Sequence, residues 1–297
     1  SLSGIIQHFV LLEGKKNDPL MKKTLIFPRY QQLDVVRKVL AHTSKHGVGH
    51  SYLIQHSAGS GKSNSITWAA YQLIESYPET LNVPGAKALD TPLFDSVIVV
   101  TDRRLLDKQL RDNIRDFSEV KNIVAPALRS SDLKAALENG KKIIITTIQK
   151  FPFIIEGIAD LSDNRFAVII DEAHSGQSGQ ASDTMNRAMG GKADAETEDA
   201  QDAIVNAMQS RKMRGNASYF AFTATPKNTT LEKFGTKQPD GSFRPFHLYS
   251  MKQAIEEGFI LNVLANYTTY KSYYEIQKSV ENNPLFDTAK AKLYRPS

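Results

Sequence analysis

Short apolar runs alternate with longer amphipathic segments over most of the chain. Four of the runs are continuous enough for buried parallel strands, and they occupy residues 51–55, 96–101, 142–146 and 166–170. Apolar residues recur with helical spacing at residues 65–77, 105–117 and 133–138. A fifth strand is predicted at residues 218–222. This alternation predicts an α/β fold in which helices cover both faces of a parallel sheet, with the active site at the carboxyl ends of the strands.

Two stretches interrupt this pattern. Residues 175–202 contain many Gly, Ser and Gln residues followed by several acidic ones, a composition that is typical of a surface loop. Residues 227–246 contain Gly and Pro at four positions, and we interpret them as a connection that leaves the first domain. Beyond this connection the spacing predicts a helix that begins near residue 249 and a strand at residues 263–270.

A glycine-rich segment follows the first predicted strand and precedes the first predicted helix. It reads His-Ser-Ala-Gly-Ser-Gly-Lys-Ser over residues 56–63, and its glycines allow backbone N–H groups to turn inward around phosphate oxygens. Lys62 is expected to reach the β- and γ-phosphates of ATP, and the Ser63 hydroxyl to bind Mg²⁺. The predicted ATP-binding residues of this loop are Ser57, Ala58, Gly59, Ser60, Gly61, Lys62 and Ser63. His56 departs from the general P-loop pattern, which has a small residue, usually glycine, at this position.

Acidic residues follow another predicted strand, as a Mg²⁺-dependent site for phosphate cleavage requires. Asp171 and Glu172 begin the sequence Asp-Glu-Ala-His directly after the strand. Asp171 is placed to hold Mg²⁺, and Glu172 to orient or deprotonate the attacking water. His174 is expected to hydrogen-bond toward the next motif, where the fifth predicted strand ends in the hydroxyl groups of Thr223 and Thr225.

Polar residues upstream of the first strand indicate selectivity for ATP. Gln32 lies in the sequence Pro-Arg-Tyr-Gln-Gln, and its amide can offer both a donor and an acceptor to adenine. We therefore expect Gln32, with Arg29 beside it, to contact the nucleotide and to favour ATP over other triphosphates.

Taken in chain order, these motifs resemble those of the superfamily 2 helicases and translocases. A narrower resemblance, to the motor of the type I restriction enzyme R subunit, spans roughly residues 25–270. It rests on Thr-Asp-Arg-Arg-Leu-Leu-Asp-Lys-Gln at 101–109, Thr-Thr-Ile-Gln-Lys-Phe at 146–151, Asp-Glu-Ala-His-Ser-Gly-Gln at 171–177 and Tyr-Ser-Met-Lys-Gln-Ala-Ile-Glu-Glu-Gly at 249–258. A His before the P-loop residues, such as His56, is also familiar in that family.

The resemblance implies an ATP-driven motor that pumps double-stranded DNA, with cleavage by a separate nuclease domain that is not visible in this sequence. It implies a first RecA-like motor domain at residues 29–246, preceded by a leader or connector at residues 1–28. Residues 247–297 would form a connector and the start of a second RecA-like domain. Because the chain does not begin with Met, we expect it to be a piece of a longer polypeptide.

The same resemblance implies partners beyond DNA, namely the modification and specificity subunits of a restriction complex. The residues that it places on the DNA-tracking face, with hydroxyl and guanidinium groups on phosphate oxygens, are Arg103, Arg104, Thr146, Thr147 and Gln149. Thr223 and Thr225 would couple hydrolysis to movement. Two alternatives stay open: a free-standing superfamily 2 DNA or RNA helicase, and an ATP- and DNA-binding module that is inactive without its second domain.

The composition changes this picture only slightly. The 37 Lys and Arg residues exceed the 32 Asp and Glu residues by a net charge of +5, a mild excess that many enzymes share. The chain has no cysteine, which excludes disulfides, thiolate zinc sites and cysteine catalysis. Its apolar runs are too short to cross a bilayer, and its start lacks a signal-peptide pattern. We therefore expect a soluble cytoplasmic protein with no membrane partner.

Three histidines recur at intervals of four residues, which is a spacing that metal ligands on a helix can have. They are His42, His46 and His50. Because Gly47 and Gly49 would break the helix that aligns them, no zinc site is predicted there.

Overall fold

The structure is a computed structural model of the 297-residue chain. It describes residues 2–13, 19–101, 124–126, 130–148, 151, 163–171 and 216–261. The chain divides into two compact units, residues 1–254 and residues 255–297. The elements described below lie in the first unit, except for the end of the last helix.

The N-terminal part contains a 3-10 turn at Leu20–Lys22, two α-helices and a small antiparallel strand pair. They are α1 (Leu2–Phe9), β1 (Leu11–Glu13), β2 (Thr24–Ile26) and α2 (Tyr30–His46), with β1 paired to β2. Helix α2 buries Val35, Val36 and Val39 on one face. It ends at Gly47, whose φ of 77° is left-handed and whose N–H donates to Thr43 O at 2.7 Å. Glycine adopts this positive φ without the steric cost of a Cβ, which at Gly47 would lie 2.2 Å from Pro84 O.

The rest of the described chain contains nine further strands and four further α-helices. The central elements are β3 (Ser51–His56), α3 (Lys62–Leu73), β4 (Ser96–Thr101), β5 (Val124–Pro126), α4 (Ser130–Glu138), β6 (Ile143–Thr147), β7 (Phe166–Asp171) and β8 (Ala217–Thr223). The last elements are α5 (Asn228–Phe234), β9 (Thr236–Lys237), β10 (Phe243–Arg244), β11 (His247–Tyr249) and α6 (Met251–Glu256).

Seven strands form one sheet in the order β11-β3-β8-β7-β4-β6-β5, and every neighbouring pair is parallel. The predicted α/β fold, a parallel sheet flanked by helices, is therefore confirmed. The five predicted strands agree with β3, β4, β6, β7 and β8 to within one residue at each end. Helix α3 begins three residues earlier than predicted, at Lys62, and α4 begins three residues earlier, at Ser130.

The two faces of the sheet pack into two separate hydrophobic cores. Successive side chains of a strand point to opposite faces, so the apolar runs supply both cores at once. One core contains Ile98, Val100, Ile144, Val168 and Ile170. The other contains Val97, Val99, Ile143, Ile145 and Ile169, together with Ile66, Trp68 and Leu73 of α3. Burial on both faces explains why these strands show continuous apolar runs without alternating polar residues.

Residues 227–246 differ from the predicted connection, because they fold into α5 and a hairpin of β9 and β10. Gly241 has a φ of 84°, and Gln238 N–H donates to Ser242 O at 2.7 Å across the turn. The Gly and Pro residues here thus mark a hairpin turn. Strand β11 then pairs in parallel with β3. The domain boundary after residue 246 stays a prediction.

Three predicted features lie outside the described residues: the helix at 105–117, the loop at 175–202 and the strand at 263–270. Within the described part of the chain, no helix is long and apolar enough to cross a membrane.

Candidate nucleotide site

The predicted phosphate-binding loop connects β3 to α3 at the carboxyl edge of the sheet. Strand β3 ends at His56 and helix α3 begins at Lys62, so the loop spans residues 57–61. Gly59 and Gly61 have φ angles of 75° and 79°, in the left-handed region that residues with a Cβ rarely adopt. The loop therefore leads directly into the N terminus of α3, where unpaired N–H groups and the positive end of the helix dipole favour an anion.

Gln32 holds this loop from the first turn of α2. Its Nε2 donates to Gly61 O at 3.0 Å and to Ser60 O at 3.4 Å, and its Oε1 accepts from Arg29 N–H at 2.8 Å. A Cβ on Gly61 would lie 2.4 Å from Gln32 Nε2, so only glycine allows the amide to come this close. The structure thus shows Gln32 in contact with the phosphate loop. Its predicted contact with adenine stays a prediction, and so does the predicted contact of the exposed Arg29 with the nucleotide.

Lys62 is the first residue of α3, and it is only 8% exposed. Its Nζ donates to His56 O at 3.4 Å and to Ser57 O at 3.5 Å. Both distances are long for hydrogen bonds of an ammonium group, so these two contacts are weak. These two contacts therefore oppose a transfer of the amine to phosphate oxygens only weakly.

Three buried polar atoms around the loop have no hydrogen-bond partner, namely Ser57 Oγ, Ser60 Oγ and Gln31 Oε1. Their side chains are at most 2% exposed. Buried polar atoms in folded proteins are almost always paired, so three unpaired ones in one place are typical of a site that receives a polar ligand. Together with the glycine conformations and Lys62, they fit the phosphate groups of a nucleotide.

Asp171 and Thr223 end neighbouring strands at the same edge of the sheet. Asp171 is the last residue of β7 and Thr223 the last of β8, and both are buried. Strand β8 lies between β7 and β3. With strands about 4.8 Å apart, the ends of β7 and β3 are separated by roughly 10 Å. This separation suits a carboxylate that shares Mg²⁺ with a hydroxyl at the start of α3, where Ser63 lies.

Several predicted functional residues lie outside the described part of the chain, so the structure says nothing of their side chains. They are Arg103, Arg104, Gln149, Glu172 and His174. Thr146 and Thr147 end β6, and they are only 2% and 5% exposed. Their burial leaves little hydroxyl surface for a DNA phosphate, and their contact with DNA stays a prediction. Thr225 is exposed just beyond β8.

Strand β11 contributes contacts to the loop that the sequence did not reveal. Tyr249 O accepts from Ser57 N–H at 3.0 Å. His247 Nδ1 lies 2.8 Å from His56 Nε2, and His247 Nε2 lies 2.9 Å from Asp34 Oδ2. His247 is 191 residues from His56 in the chain, and a strand of three residues has no recognisable pattern. The one sequence signal was His56 itself, which departs from the usual P-loop glycine.

The three regularly spaced histidines come closer together than the sequence predicts. His42 stacks on His46 with ring centroids 4.1 Å apart, and His50 lies 5.6 Å from His42, after the turn at Gly47. His42 Nδ1 is 3.0 Å from the Tyr52 hydroxyl. Within the described ranges, no group of three or more His, Asp or Glu residues has the geometry to hold a metal ion.

A parallel sheet with a phosphate loop after β3 and a buried carboxylate two strands away is the arrangement of a RecA-like ATPase domain. The family model of the SWI2/SNF2 ATPases matches residues 31–293. The chain belongs to this family. It is therefore an ATPase domain of the superfamily 2 helicase type, a class that uses ATP generally with Mg²⁺. No curated protein matches this SWI2/SNF2 ATPase domain.

The solved structures that are similar to the SWI2/SNF2 ATPase domain include three that represent restriction enzymes and helicases. A nuclease-deletion mutant of the Type ISP restriction-modification enzyme LlaGI, in complex with a DNA substrate mimic, is 14% identical with a TM-score of 0.48, and the match covers 78% of this chain and 18% of that one. A hypothetical ATP-dependent RNA helicase from Sulfolobus tokodaii is 20% identical with a TM-score of 0.40, covering 70% and 51%. T4 UvsW is 13% identical with a TM-score of 0.40, covering 68% and 31%. The chain spans less than two thirds of the length of each.

Proposed function

We propose that this SWI2/SNF2 ATPase domain hydrolyses ATP to move double-stranded DNA, as the motor of the R subunit of a type I restriction enzyme. The observation that carries the ATP-hydrolysing part of the proposal is the phosphate loop. The loop lies at the carboxyl edge of the sheet and contains two glycines with left-handed φ angles, the buried Lys62 and, around it, three unpartnered polar atoms. Strand β7 ends at the same edge with Asp171.

Each residue of the site has a role that follows from its chemistry. Lys62 binds the β- and γ-phosphates as a point charge, and Ser63 and Asp171 would hold Mg²⁺, which neutralises the charge that develops on phosphate oxygens. Glu172 orients or deprotonates the attacking water, and His174 hydrogen-bonds toward Thr223 and Thr225. Thr223 and Thr225 couple hydrolysis to movement.

Nucleotide selectivity belongs to the start of α2. Arg29 and Gln32 contact the nucleotide, and Gln32 acts in addition through its hydrogen bond to Gly61 O. Ala58, Gly59 and Gly61 supply backbone N–H groups that surround the phosphates. Ser57 and Ser60 contribute their buried, unpartnered hydroxyl groups.

DNA as the partner is supported by the resemblance to the type I R subunit motor, and the mild excess of basic residues is compatible with it. Contacts to the phosphate backbone position the motor without reading sequence, which a translocase requires. The proposed contact residues are Arg103, Arg104, Thr146, Thr147 and Gln149. In a restriction enzyme, modification and specificity subunits would accompany this chain in the cytoplasm, and a separate nuclease domain would cut the DNA.

The test is phosphate release from ATP by the whole 297-residue chain, with and without long double-stranded DNA, beside single-stranded DNA and RNA. We expect phosphate release that double-stranded DNA stimulates most strongly and that Lys62→Ala abolishes. Stimulation by RNA or single-stranded DNA alone would favour a free-standing helicase and contradict the restriction motor. ATP binding without any phosphate release would show that the chain is a module that needs its second motor domain.

A further inference from the structure

A chain of three hydrogen-bonded side chains runs from the surface of α2 to the phosphate loop. Asp34 is half-exposed on α2, and its Oδ2 lies 2.9 Å from His247 Nε2. His247 Nδ1 lies 2.8 Å from Nε2 of His56, which is fully buried at the end of β3. This series of hydrogen bonds therefore connects α2 to β11 and β11 to β3, and it ends at His56, the residue that directly precedes the loop.

The position of each proton in this chain follows from its geometry. The Asp34 carboxylate can only accept, so His247 Nε2 carries the proton and donates it. His247 Nδ1 is then the acceptor, and His56 Nε2 must donate to it. His56 Nδ1 is left without a proton, and it is buried with no partner. A buried unpaired acceptor is less unfavourable than a buried unpaired N–H, so this tautomer is also the one that the surroundings of His56 favour.

Both imidazoles are neutral at pH 7, as this proton order requires. Burial, His247 and Lys62 lower the pKa of His56 to about 3. Burial also lowers the pKa of His247, and this outweighs the hydrogen bond and charge of Asp34 that raise it. Partial burial raises the pKa of Asp34, but hydrogen bonds from Lys38 and His247 and their charges lower it further, so Asp34 is ionised.

The carbonyl oxygen of the anchored His56 is also in contact with Lys62, the proposed phosphate-binding lysine. Lys62 Nζ donates to the carbonyl oxygens of His56 and Ser57. Strand β11 fixes the same segment through its backbone, since Ser57 N–H donates to Tyr249 O at 3.0 Å. His56 thus has its ring held by His247 and its carbonyl in contact with Lys62.

We propose that Asp34 and His247 are positioning residues for nucleotide binding, which hold His56 as the Nε2–H tautomer and thereby keep Lys62 and the first turn of the phosphate loop in the geometry that receives the triphosphate. This inference rests on the proposed ATP-binding function of the loop. It assigns a role to His56, the residue at which this P-loop departs from the general pattern.

The decisive variants are His247→Leu and His247→Asn, which are similar in size. Leucine leaves the buried His56 N–H without an acceptor, whereas the side-chain oxygen of asparagine lies near the former Nδ1 position and can accept it. We expect His247→Leu to raise the Kd for Mg²⁺-ATP about tenfold and His247→Asn to stay within about threefold of the wild type. Thermal unfolding of both variants verifies that the sheet is intact.

A second pair of variants tests the series of hydrogen bonds at Asp34, its half-exposed end, where a substitution leaves the packed core intact. Asp34→Ala removes the acceptor for His247 and is expected to raise the Kd about threefold to tenfold. Lys38→Ala removes only the neighbour that pairs with Asp34 at 2.7 Å, and it should leave the Kd unchanged. Nitrogen-15 NMR of the imidazole rings reports the tautomer directly. In the wild type it should show the proton on Nε2 of His56, and this signature should persist in Lys38→Ala and be lost in Asp34→Ala.

Equal Kd values for His247→Leu and the wild type, or a wild-type His56 that carries its proton on Nδ1, would overturn the inference. ATP binding that depends on Lys62 but not on His247 would overturn this inference alone. If the wild-type chain binds no ATP, the proposed function fails, and the inference fails with it.

Discussion

Gly61 is constrained both by its backbone conformation and by the side chain next to it. Its φ of 79° strains any residue with a Cβ, and a Cβ there would lie 2.4 Å from Gln32 Nε2. Gly140 has a similar φ of 70°, but nothing lies within 4 Å of the position of its Cβ. A comparison of alanine substitutions at the two glycines therefore distinguishes the cost of the backbone conformation from the cost of displacing Gln32.

We predict that Gly140→Ala lowers the free energy of unfolding by about 1–2 kcal/mol, the cost of the left-handed conformation, and leaves ATP binding unchanged. Gly61→Ala should cost more, because the alanine methyl group displaces Gln32 from the loop, and it should weaken ATP binding at least tenfold. Urea denaturation and nucleotide titration measure the two effects. A Gly61→Ala variant that matches Gly140→Ala in both would contradict the described loop geometry.

At the scale of elements, α2 and the phosphate loop are joined through one side chain. Gln32 caps α2 by accepting the N–H of Arg29, and it donates to the carbonyl of Gly61. The same amide thus fixes the start of a helix and the shape of the loop before α3. Loss of its donor and loss of its acceptor should have different consequences.

Gln32→Glu and Gln32→Ala distinguish these two contacts. Glutamate can still accept the Arg29 N–H but cannot donate to Gly61 O, whereas alanine can do neither. We expect ATP binding to weaken about tenfold in both variants, while the Arg29 amide stays protected from hydrogen exchange only in Gln32→Glu. ATP binding by Gln32→Glu that is as tight as in the wild type would show that the hydrogen bond from Gln32 to Gly61 O does not shape the loop.

The sequence predicted those elements whose pattern is strong. The central strands β4, β6 and β7 are continuous Val and Ile runs because both faces of the sheet are covered, and their bounds were predicted almost correctly. Strands β5 and β11 have three residues each, which is too short for a pattern. The hairpin of β9 and β10 was missed because glycine and proline mark turns and linkers alike.

The residues of the site could be predicted where they are close in the sequence, but not where only the folded structure brings them together. The residues of the loop follow from local spacing, since successive backbone groups form the phosphate site. Asp34 and His247 could not be predicted, because they reach His56 only through the pairing of β11 with β3 at the edge of the sheet. The Gln32 contact with Gly61 likewise depends on how α2 packs against the loop.

At the scale of the whole molecule, one buried and one partly buried histidine make stability depend on pH. The pKa of His56 falls to about 3 when the chain folds, through burial, His247 and Lys62, and that of His42 falls to about 4, through burial, His46 and His50. Their usual value is 6.5. At pH values between 6.5 and these lowered pKa values, the unfolded chain binds protons that the folded chain does not. The free energy of unfolding therefore decreases as the pH decreases.

We predict that the free energy of unfolding is fully retained above pH 6.5 and declines progressively toward pH 3. His56 alone should contribute a loss of about 2 kcal/mol between pH 7 and pH 5. Urea denaturation followed by the fluorescence of Trp68, the single tryptophan and fully buried in α3, measures this dependence. His56→Asn should show a flatter profile over the same range. An equal slope in wild type and variant would mean that His56 is not buried as described.

The central claim is that the loop between β3 and α3 binds a nucleoside triphosphate through Lys62. The most direct measurement is a calorimetric titration of the chain with Mg²⁺-ATP, beside Lys62→Ala and the control Lys237→Ala, which removes an exposed lysine of the β9 and β10 hairpin. We predict saturable binding at one site that Lys237→Ala retains, and a Kd at least tenfold higher for Lys62→Ala. Equal binding by the wild type and Lys62→Ala, or no binding by the wild type, would contradict the account.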